Sequence, residues 1–425
     1  MMIQKLLNSA GIILARCPRL LELALKLRLK IWRLRVFIRT RRWAKSFDAN
    51  QIYWIAPGKI EYALVFRKIG EYDKYKDRGK VIGGNWDRKR VKFAEFGAGV
   101  LKGFDDRFIR GMLWEDTEFY KFSLDCISRG FAIWGCRNKT ELDARCKYLD
   151  YLFHTIKVSG YKAQEEISEQ KGGVYRDEDE VTVRIGRDGA LLFEDGQHRL
   201  AIAKLLGMDR IPVKITARHS KWYGFRREIL DYAKVNGGKI YQPITHPDLA
   251  DVPSAYGDER FELIKAHLPI KTGSLLDIGA NWGYFCHKFE EIGFDCYAVE
   301  SDTKALYFLE KLRQSENRKF KVIRESIFEY RDKTDFDVVL ALNVFHHFTN
   351  TEGTFLKLIE LLKRLNVKSM FFQAGLPDSH QIQEAYRNFT PNEFVKFILD
   401  NSCLDEATLI GHTNDKRPIY TLQRL

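Results

Sequence analysis

The chain has 425 residues, of which 45% are hydrophobic and 13% aromatic. This composition is typical of a folded globular protein and excludes a disordered one, and the length predicts two or three domains. The seven cysteines stand singly, with no C-x-x-C pair, which favours reduced thiols over a disulfide framework or a zinc site. We therefore expect a cytoplasmic protein without a bound metal.

The net charge of +13 is concentrated at one end of the chain. Residues 1–47 contain twelve Lys and Arg and one acid, Glu22, and so hold +11 of that charge. The other residues are nearly neutral together, which argues against nucleic acid as a partner of the folded domains.

Residues 1–47 interleave Leu, Ile, Val and Trp with Arg and Lys at an approximately helical spacing. No run approaches the roughly 18 apolar residues of a membrane span, and charges pass through the region that would be apolar in a signal peptide. A basic helix with Trp and Leu favours peripheral attachment to an anionic membrane surface. A helix packed on the next domain and a nucleic-acid-binding arm remain open as alternatives.

Residues 187–215 predict a strand, a turn, a helix from about His198 and a second strand. The helix start, Gly-Gln-His-Arg from Gly196 to Arg199, resembles the ParB/sulfiredoxin-like fold, whose signature is Gly-x-(His/Arg)-Arg followed by Ala-rich turns. The resemblance implies that Gly196, His198 and Arg199 bind nucleotide phosphates at the helix N-terminus. Gln197 occupies the position of the reactive cysteine of sulfiredoxins, so sulfinic acid repair is not expected.

The resemblance implies an α+β domain over residues 50–218, with a mostly helical insertion at 96–160. A loop at 81–87 allows two interpretations: Asp87 holds a metal or a hydroxyl group, or the loop is a structural turn. Residues 219–255 predict a connecting helix and a linker rich in Gly, Pro and Asp.

The most informative pattern of the chain lies between Ser274 and Glu300. A short apolar strand leads to Asp277 and Gly279, which begin a tight turn; Gly283 begins a helix, and a second strand ends at Glu300. Glycines let the backbone approach a ligand closely, and an acid at the end of the second strand can accept hydrogen bonds from ribose hydroxyls. The pattern predicts a nucleoside-binding β-α-β unit.

The turn favours one class of nucleoside. Dinucleotide sites usually have G-x-G-x-x-G, in which the second glycine makes room for a pyrophosphate. Here Asn281 and Trp282 crowd that position, and Asp277 would repel a phosphate but suits a ligand with an ammonium group. The segment resembles the class I S-adenosylmethionine-dependent methyltransferases, whose first motif is (Asp/Glu)-x-Gly-x-x-x-Gly. S-adenosylmethionine is the cofactor that this resemblance implies.

The rest of the C-terminal half keeps to the element order of that family. Strands are predicted at 274–278, 296–300, 321–326, 336–342, 368–373, 404–410 and 419–422, and helices at 355–365 and 390–399. The last of these helices begins with a capping box, Thr390 to Glu393. The resemblance implies an α/β fold with a Rossmann-like, seven-stranded sheet over residues 256–425.

The resemblance also assigns roles to matching positions. It implies cofactor contacts from Asp277, Gly279, Asn281 and Gly283 in the first turn, from Glu300 to the ribose, and from Glu325 and Ser326 to the adenine. Asn343 follows the fourth strand, where the methyl donor meets the acceptor, and His346 and His347 belong to a His-His-Phe segment common in small-molecule methyltransferases. A histidine there could take a proton from an acceptor hydroxyl, because its ordinary pKa is near neutral. The alternative is that both histidines only pack and hydrogen bond at the strand end.

Together these patterns predict a cytoplasmic S-adenosylmethionine-dependent methyltransferase, peripheral to a membrane, that acts on a small-molecule, glycan or lipid-linked acceptor. Its middle domain is expected to bind a nucleotide or phosphate. A nucleotide-dependent phosphotransferase or hydrolase centred on the middle domain is one alternative. A nucleic-acid-binding protein with an appended methyltransferase is the other. The sequence does not determine the acceptor or the oligomeric state.

Overall fold

The computed structural model describes residues 47–65, 77–163, 180–375 and 385–425. The predicted basic segment therefore lies outside the described residues, except for its last position. In the described part, the chain divides after Glu228 into an N-terminal unit and a C-terminal unit that begins at Ile229. The finer domain boundaries predicted from the sequence stay a prediction. No helix of the described part is long and apolar enough to cross a membrane.

The strands and the longer helices of the N-terminal unit follow one another in mixed order. The strands are β1 (Ile52–Ile55), β2 (Tyr62–Leu64), β3 (Lys80–Ile82), β4 (Arg90–Lys92), β5 (Val181–Ile185), β6 (Leu191–Asp195) and β7 (Ile211–His219). The helices are α1 (Val100–Phe104), α2 (Glu118–Ser128), α3 (Lys139–Ser159), α4 (Gln197–Leu205) and α5 (Ser220–Val235), of which the last continues past Glu228.

The described strands of this unit form one mixed sheet in the order β1-β7-β5-β6-β2-β4, with β3 also paired to β7. Strand β5 runs parallel to β7 and antiparallel to β6. Helices α1, α2 and α3 lie within residues 96–160, which the sequence predicted to be mostly helical, and α4 follows β6 directly, as the turn at Gly196 predicted. The ParB/sulfiredoxin-like assignment itself stays a prediction.

The C-terminal unit alternates strands and helices. Its strands are β8 (Gly273–Ile278), β9 (Phe294–Val299), β10 (Lys321–Ile323), β11 (Asp335–Leu342), β12 (Asn366–Gln373), β13 (Glu406–His412) and β14 (Pro418–Gln423). Its helices are α6 (Glu259–Ala266), α7 (Tyr284–Glu291), α8 (Thr303–Ser315), α9 (Phe345–Phe348), α10 (Glu352–Arg364) and α11 (Pro391–Asn401). The capping box predicted at Thr390 and Glu393 is confirmed.

The described strands of the C-terminal unit form a seven-stranded sheet in the order β10-β9-β8-β11-β12-β14-β13. Strands β8 to β12 are parallel to one another, and β14 is antiparallel to both β12 and β13. The chain moves outward from β8 to β10 and then returns to place β11 on the other side of β8. In open α/β sheets, ligands bind at the carboxyl ends of the strands where the order reverses in this way.

Apolar side chains cover both faces of this sheet. One face packs against α6 and α7 through a cluster that includes Leu275, Leu340, Phe371, Phe261, Phe285 and Phe289. The other face packs against α10 and α11 through a cluster that includes Leu276, Val339, Leu358, Leu361, Phe394 and Ile398. Burial on both faces explains why these strands are nearly continuous in Val, Leu and Phe.

We expect Leu340→Ala to destabilise the C-terminal unit by about 2–5 kcal/mol, because the fully buried leucine would leave a cavity in the sheet core. Hydrogen exchange of peptides from β8, β11 and β12 measures the opening free energy of this unit separately. Leu409→Ala, at a residue that is 48% exposed, is the matched control. Equal effects of the two substitutions would contradict the proposed core.

Candidate active site

A cavity of about 500 Å³ lies at the carboxyl ends of β8, β9, β10 and β11. Its lining includes eight of the residues predicted from the sequence: Gly279, Asn281, Glu300, Glu325, Ser326, Asn343, His346 and His347. They come together because each follows the carboxyl end of one of these parallel strands. Their location is observed, whereas the role of each stays a prediction.

The turn after β8 is tied to the end of β9 by backbone hydrogen bonds. The N–H groups of Gly279 and Ala280 both donate to the carbonyl oxygen of Val299, at 3.0 and 2.9 Å. Gly279 has a φ of 72°, and a Cβ atom there would lie 3.1 Å from Val344 Cγ2. A side chain is therefore disfavoured at Gly279, and bare backbone faces the cavity.

Glu300 is half-buried, and three backbone N–H groups fix its carboxylate. The N–H of Asn281 donates to Oε2 at 2.9 Å, and those of Ser301 and Asp302 donate to Oε1, each at 2.8 Å. Burial raises the pKa of Glu300, although these hydrogen bonds act in the opposite direction. Acceptor capacity remains on Oε2, as the predicted bond to a ribose hydroxyl requires.

The adenine end differs in one detail from the sequence prediction. Strand β10 ends at Ile323 and not at Ser326, because the pairing of β10 with β9 stops there. Glu325 and Ser326 follow in the connection after the strand and line the cavity beside Ile327. An apolar side chain next to a carboxylate and a hydroxyl is a suitable surface for a base with an exocyclic amine.

The opposite end of the cavity contains Asn343 and the two histidines. Asn343 Nδ2 donates to the Tyr241 hydroxyl at 3.1 Å, while its Oδ1 is buried without a hydrogen-bond partner in the described residues. His346 is 6% exposed, its ring lies 4.0 Å from that of His347, and its Nδ1 has no partner in the described part. Burial, then His347 and then Arg417 lower the pKa of His346 to about 4. A neutral imidazole with an open nitrogen can accept a proton.

Asp277 and Gly283 do not line the cavity, and their predicted cofactor contacts stay a prediction. Asp277 is 3% exposed and receives a weak hydrogen bond from Cys286 Sγ at 3.9 Å. Burial, followed by the charge of Glu300, raises the pKa of Asp277 to about 7. Gly283 caps α7 with a φ of 81°. Asp277 is the last but one residue of β8 and Gly283 directly precedes α7, so the two residues flank the turn.

Tyr241, Tyr256 and Arg417 line the cavity from parts of the chain in which the sequence predicted no site residue. The tyrosines flank a Pro- and Asp-rich stretch with no periodic pattern, which reads as a linker, and Arg417 lies in the short connection between β13 and β14. Arg260, which is 1% exposed, lies over the Tyr256 ring at 3.9 Å, and its Nε and Nη1 have no hydrogen-bond partner among the described residues. The presence of a tyrosine on each side of this stretch was the one signal in the sequence that could have indicated a site there.

The N-terminal unit contradicts the predicted phosphate contact of His198. This side chain is 9% exposed, stacks on Phe104 with ring centroids 5.7 Å apart, and has the Trp134 ring 5.2 Å away. Burial lowers its pKa to about 3, so it is a neutral core histidine. Gly196 begins α4 with a φ of 88°, and Arg199 lies over the Tyr161 ring at 5.7 Å.

The contacts of Asp87 agree with the interpretation of the 81–87 loop as a structural turn. Its side chain is 2% exposed and forms an ion pair with Arg187 Nη2 at 2.7 Å. The backbone N–H of Arg187 donates to the same carboxylate at 2.8 Å, and its guanidinium donates to the Gly84 carbonyl at 2.8 Å. The carboxylate thus joins two loops, which agrees with the interpretation of this loop as a structural turn.

Comparison with known proteins matches one part of the chain to a family model. Residues 276–365 match a family model described as a methyltransferase domain, and curated proteins give no match. Among solved structures, the bifunctional kinase-methyltransferase WbdD is 20% identical, with a TM-score of 0.38, over 46% of this chain and 46% of that chain. Magnesium protoporphyrin IX methyltransferase from Synechocystis PCC 6803, with bound SAM, is 12% identical, with a TM-score of 0.30, over 39% of this chain and 76% of that chain.

The chain spans less than half the length of WbdD, and both TM-scores are too low to carry an argument about function. The family match shows a methyltransferase domain within the C-terminal unit, and its cofactor is S-adenosylmethionine. The α/β class with a Rossmann-like sheet is confirmed for this unit.

The residues of the cavity fit this cofactor. The unpartnered Oδ1 of Asn343 is a buried acceptor that an ammonium group would satisfy. The open acceptor position of Glu300 suits a ribose hydroxyl, and the bare backbone at Gly279 leaves space between these two groups.

We expect Glu300→Ala to weaken binding of S-adenosylhomocysteine, the product form of the cofactor, by at least about tenfold, because the ribose loses its carboxylate acceptor. Isothermal titration with the full chain measures this change. Glu329→Ala, at an exposed acid outside the cavity, is the matched control. Unchanged affinity in Glu300→Ala would refute the ribose contact.

Asp277→Asn is expected to change how stability depends on pH. The folded chain keeps the Asp277 proton up to about pH 7, and the unfolded chain loses it near 3.8, so the folded state binds more protons between these values. This contribution to stability is therefore lost as the pH rises, by at most about 1.4 kcal/mol per pH unit.

Urea denaturation at a series of pH values between about 5 and 7 measures this dependence. The free energy of unfolding should fall less steeply in Asp277→Asn than in the unmodified chain. Asp400→Asn, at an exposed acid, should keep the original slope. Identical slopes in all three proteins would show that Asp277 ionises normally.

Proposed function

We propose that the C-terminal unit transfers a methyl group to a hydroxyl of an acceptor bound beside His346. The observation that carries the proposal is a buried, neutral imidazole with an open Nδ1 in the same cavity as the bare turn at Gly279. When bound, S-adenosylmethionine supplies a methyl group on a positively charged sulfur, which keeps the electron pair of the broken bond. His346 Nδ1 accepts the hydroxyl proton while the acceptor oxygen gains the methyl group.

Positioning supplies much of the rate in such a reaction, because it replaces an encounter in solution by contact at a fixed distance. Asn343 is held by Tyr241 at 3.1 Å, and the turn at Gly279 is held by Val299. These contacts support a fixed geometry between the two ends of the cavity. The His347 ring packs against that of His346 at an angle of 44° and restricts its movement.

The acceptor class is part of the proposal. A small molecule, a glycan or a lipid-linked sugar agrees with a cavity that is open to solvent, and a lipid-linked acceptor agrees with the basic, Leu- and Trp-containing sequence of residues 1–47. We infer that this segment attaches the chain to an anionic membrane surface, as the sequence favours.

For the N-terminal unit, we propose an accessory role that rests on its resemblance to the ParB/sulfiredoxin-like fold. His198 is enclosed by the Phe104 and Trp134 rings, so we do not propose it as part of a second catalytic centre. A nucleotide held near Gly196 and Arg199 stays the predicted ligand.

His346→Gln tests the proposed reaction, because glutamine cannot take the proton. We expect transfer of label from S-adenosylmethionine with a tritiated methyl group into the lipid, glycan or small-molecule fractions of a cell extract to fall by at least about 100-fold. S-adenosylhomocysteine affinity should change by less than about twofold.

His412→Gln, at an exposed histidine, is the matched control and should retain label transfer. Full activity of His346→Gln would instead support the packing interpretation of the two histidines. No transfer to any fraction by the unmodified chain would count against a methyltransferase acting on these acceptors.

A further inference from the structure

The cavity of the C-terminal unit has two chemically different ends. One end contains two carboxylates, Glu300 and Glu325, which follow β9 and β10. The other end contains His346, His347 and Arg417, and no other Lys or Arg lines the cavity among the residues that the structure describes. A guanidinium at the end away from the carboxylates gives this end affinity for an anion.

One ion pair, with Asp415, holds the Arg417 side chain. Its Nε lies 3.1 Å from Asp415 Oδ2, and its side chain is 25% exposed. The Asp415 carboxylate also accepts hydrogen bonds from the hydroxyls of Thr413 and Tyr256, so three groups share it. Within the described ranges of the chain, Nη1 and Nη2 of Arg417 donate no hydrogen bond. Both nitrogens remain available for a two-point contact with a carboxylate or a phosphate.

The connection that carries Arg417 is fastened to the end of β12. Gln373, the last residue of that strand, donates from Nε2 to Thr413 Oγ1 at 3.1 Å, and the Thr413 N–H donates to the Arg417 carbonyl at 3.0 Å. Strand β12 is three positions from β9 in the sheet, so this anchor lies about 14 Å across the sheet from the Glu300 end, at about 4.8 Å per strand. Arg417 is therefore on the acceptor side of Asn343.

Arg417 and His346 share the same part of the cavity. Both line it, and the charge of Arg417 acts on the His346 imidazole. His346 Nδ1 is a buried polar atom of the cavity lining that has no hydrogen-bond partner among the described residues. Such atoms cost free energy unless a ligand with matching groups completes them.

We propose that Arg417 binds an anionic group of the methyl acceptor, a carboxylate or a phosphate, and thereby holds the acceptor hydroxyl beside His346. The proposal rests on methyl transfer at this cavity and adds the chemical class of the acceptor, a hydroxyl compound with a negative charge. A neutral hydroxyl compound leaves the guanidinium without a partner and binds more weakly. Arg417 is then a specificity-determining residue.

The cofactor itself has a carboxylate, which Arg417 could bind instead. Two titrations of the full chain separate the two assignments: one with S-adenosylhomocysteine alone, and one with inorganic phosphate or acetate on protein already saturated with S-adenosylhomocysteine. Ionic strength is kept constant, because it screens the charge of surface groups. The saturated protein has its cofactor carboxylate in place, so further anion binding reports the acceptor end.

The variants are Arg417→Gln, Arg417→Lys and Arg424→Gln. Arg417 and Arg424 precede and follow β14, so the control removes the same charge at the opposite end of one strand, where Arg424 Nη1 donates to Asn366 Oδ1 at 2.8 Å. Phosphate or acetate should bind the saturated, unmodified protein with a millimolar dissociation constant. Anion binding should be at least about tenfold weaker in Arg417→Gln and intermediate in Arg417→Lys. It should be unchanged in Arg424→Gln. The stronger of the two anions identifies the group of the acceptor.

Three results overturn the proposal. The first is that neither anion binds the saturated protein up to about 50 mM. The second is that Arg424→Gln weakens anion binding as much as Arg417→Gln does. The third is that Arg417→Gln reduces S-adenosylhomocysteine affinity at least about tenfold, which assigns Arg417 to the cofactor carboxylate. Normal S-adenosylhomocysteine binding by Arg417→Gln also shows that this variant is folded. If the unmodified chain does not bind S-adenosylhomocysteine, the proposed function fails instead.

Discussion

The hydrogen bonds between the turn after β8 and the end of β9 determine the shape of the candidate site. The carbonyl of Val299 receives the N–H groups of Gly279 and Ala280, and the Glu300 carboxylate receives that of Asn281. The backbone N–H groups of the turn thus find their hydrogen-bond acceptors on the neighbouring strand and at Glu300, and no side chain of the turn is needed to hold it in place. Because β11 returns on the other side of β8, the same bare turn faces the end of β11, where the acceptor residues begin.

Burial of acidic groups beneath this turn explains the preference for a positively charged nucleoside. Desolvation raises the pKa of both Asp277 and Glu300, and each carboxylate is disfavoured further by a neighbouring acid. Arg260 offsets part of this cost at Asp277 from behind the cavity wall. A cationic ligand favours the ionised forms of both acids, whereas a diphosphate would add like charge to them. A sulfonium nucleoside therefore fits the electrostatics as well as the space.

Local patterns in the sequence predicted most of the C-terminal fold. Apolar runs, the turn glycines and the capping box at Thr390 depend on residues close together in the chain, and strand ends then follow within a few residues. The direction of a side chain was harder to predict. Neighbouring residues in a strand point to opposite faces, so Ile278 lines the cavity and Asp277 does not. His198 was misassigned because aromatic rings from the distant helical insertion enclose it, and a local motif contains no information about such contacts.

The two ends of the cavity differ in how far apart their residues lie in the sequence. The predicted cofactor contacts come from consecutive strand ends between Gly279 and Ser326, so a short motif is sufficient to predict them. The acceptor end combines Tyr241 and Tyr256, the segment after β11, and Arg417 from the connection after β13, which are close only in the folded chain. Connections of this kind can vary while the strands that support them keep their packing. If the acceptor binds as proposed, substitution near Arg417 changes its recognition without disturbing the turn at Gly279. The pattern of the domain is thus local in the sequence, whereas the residues near Arg417 are not, so the class of domain could be predicted and its substrate could not.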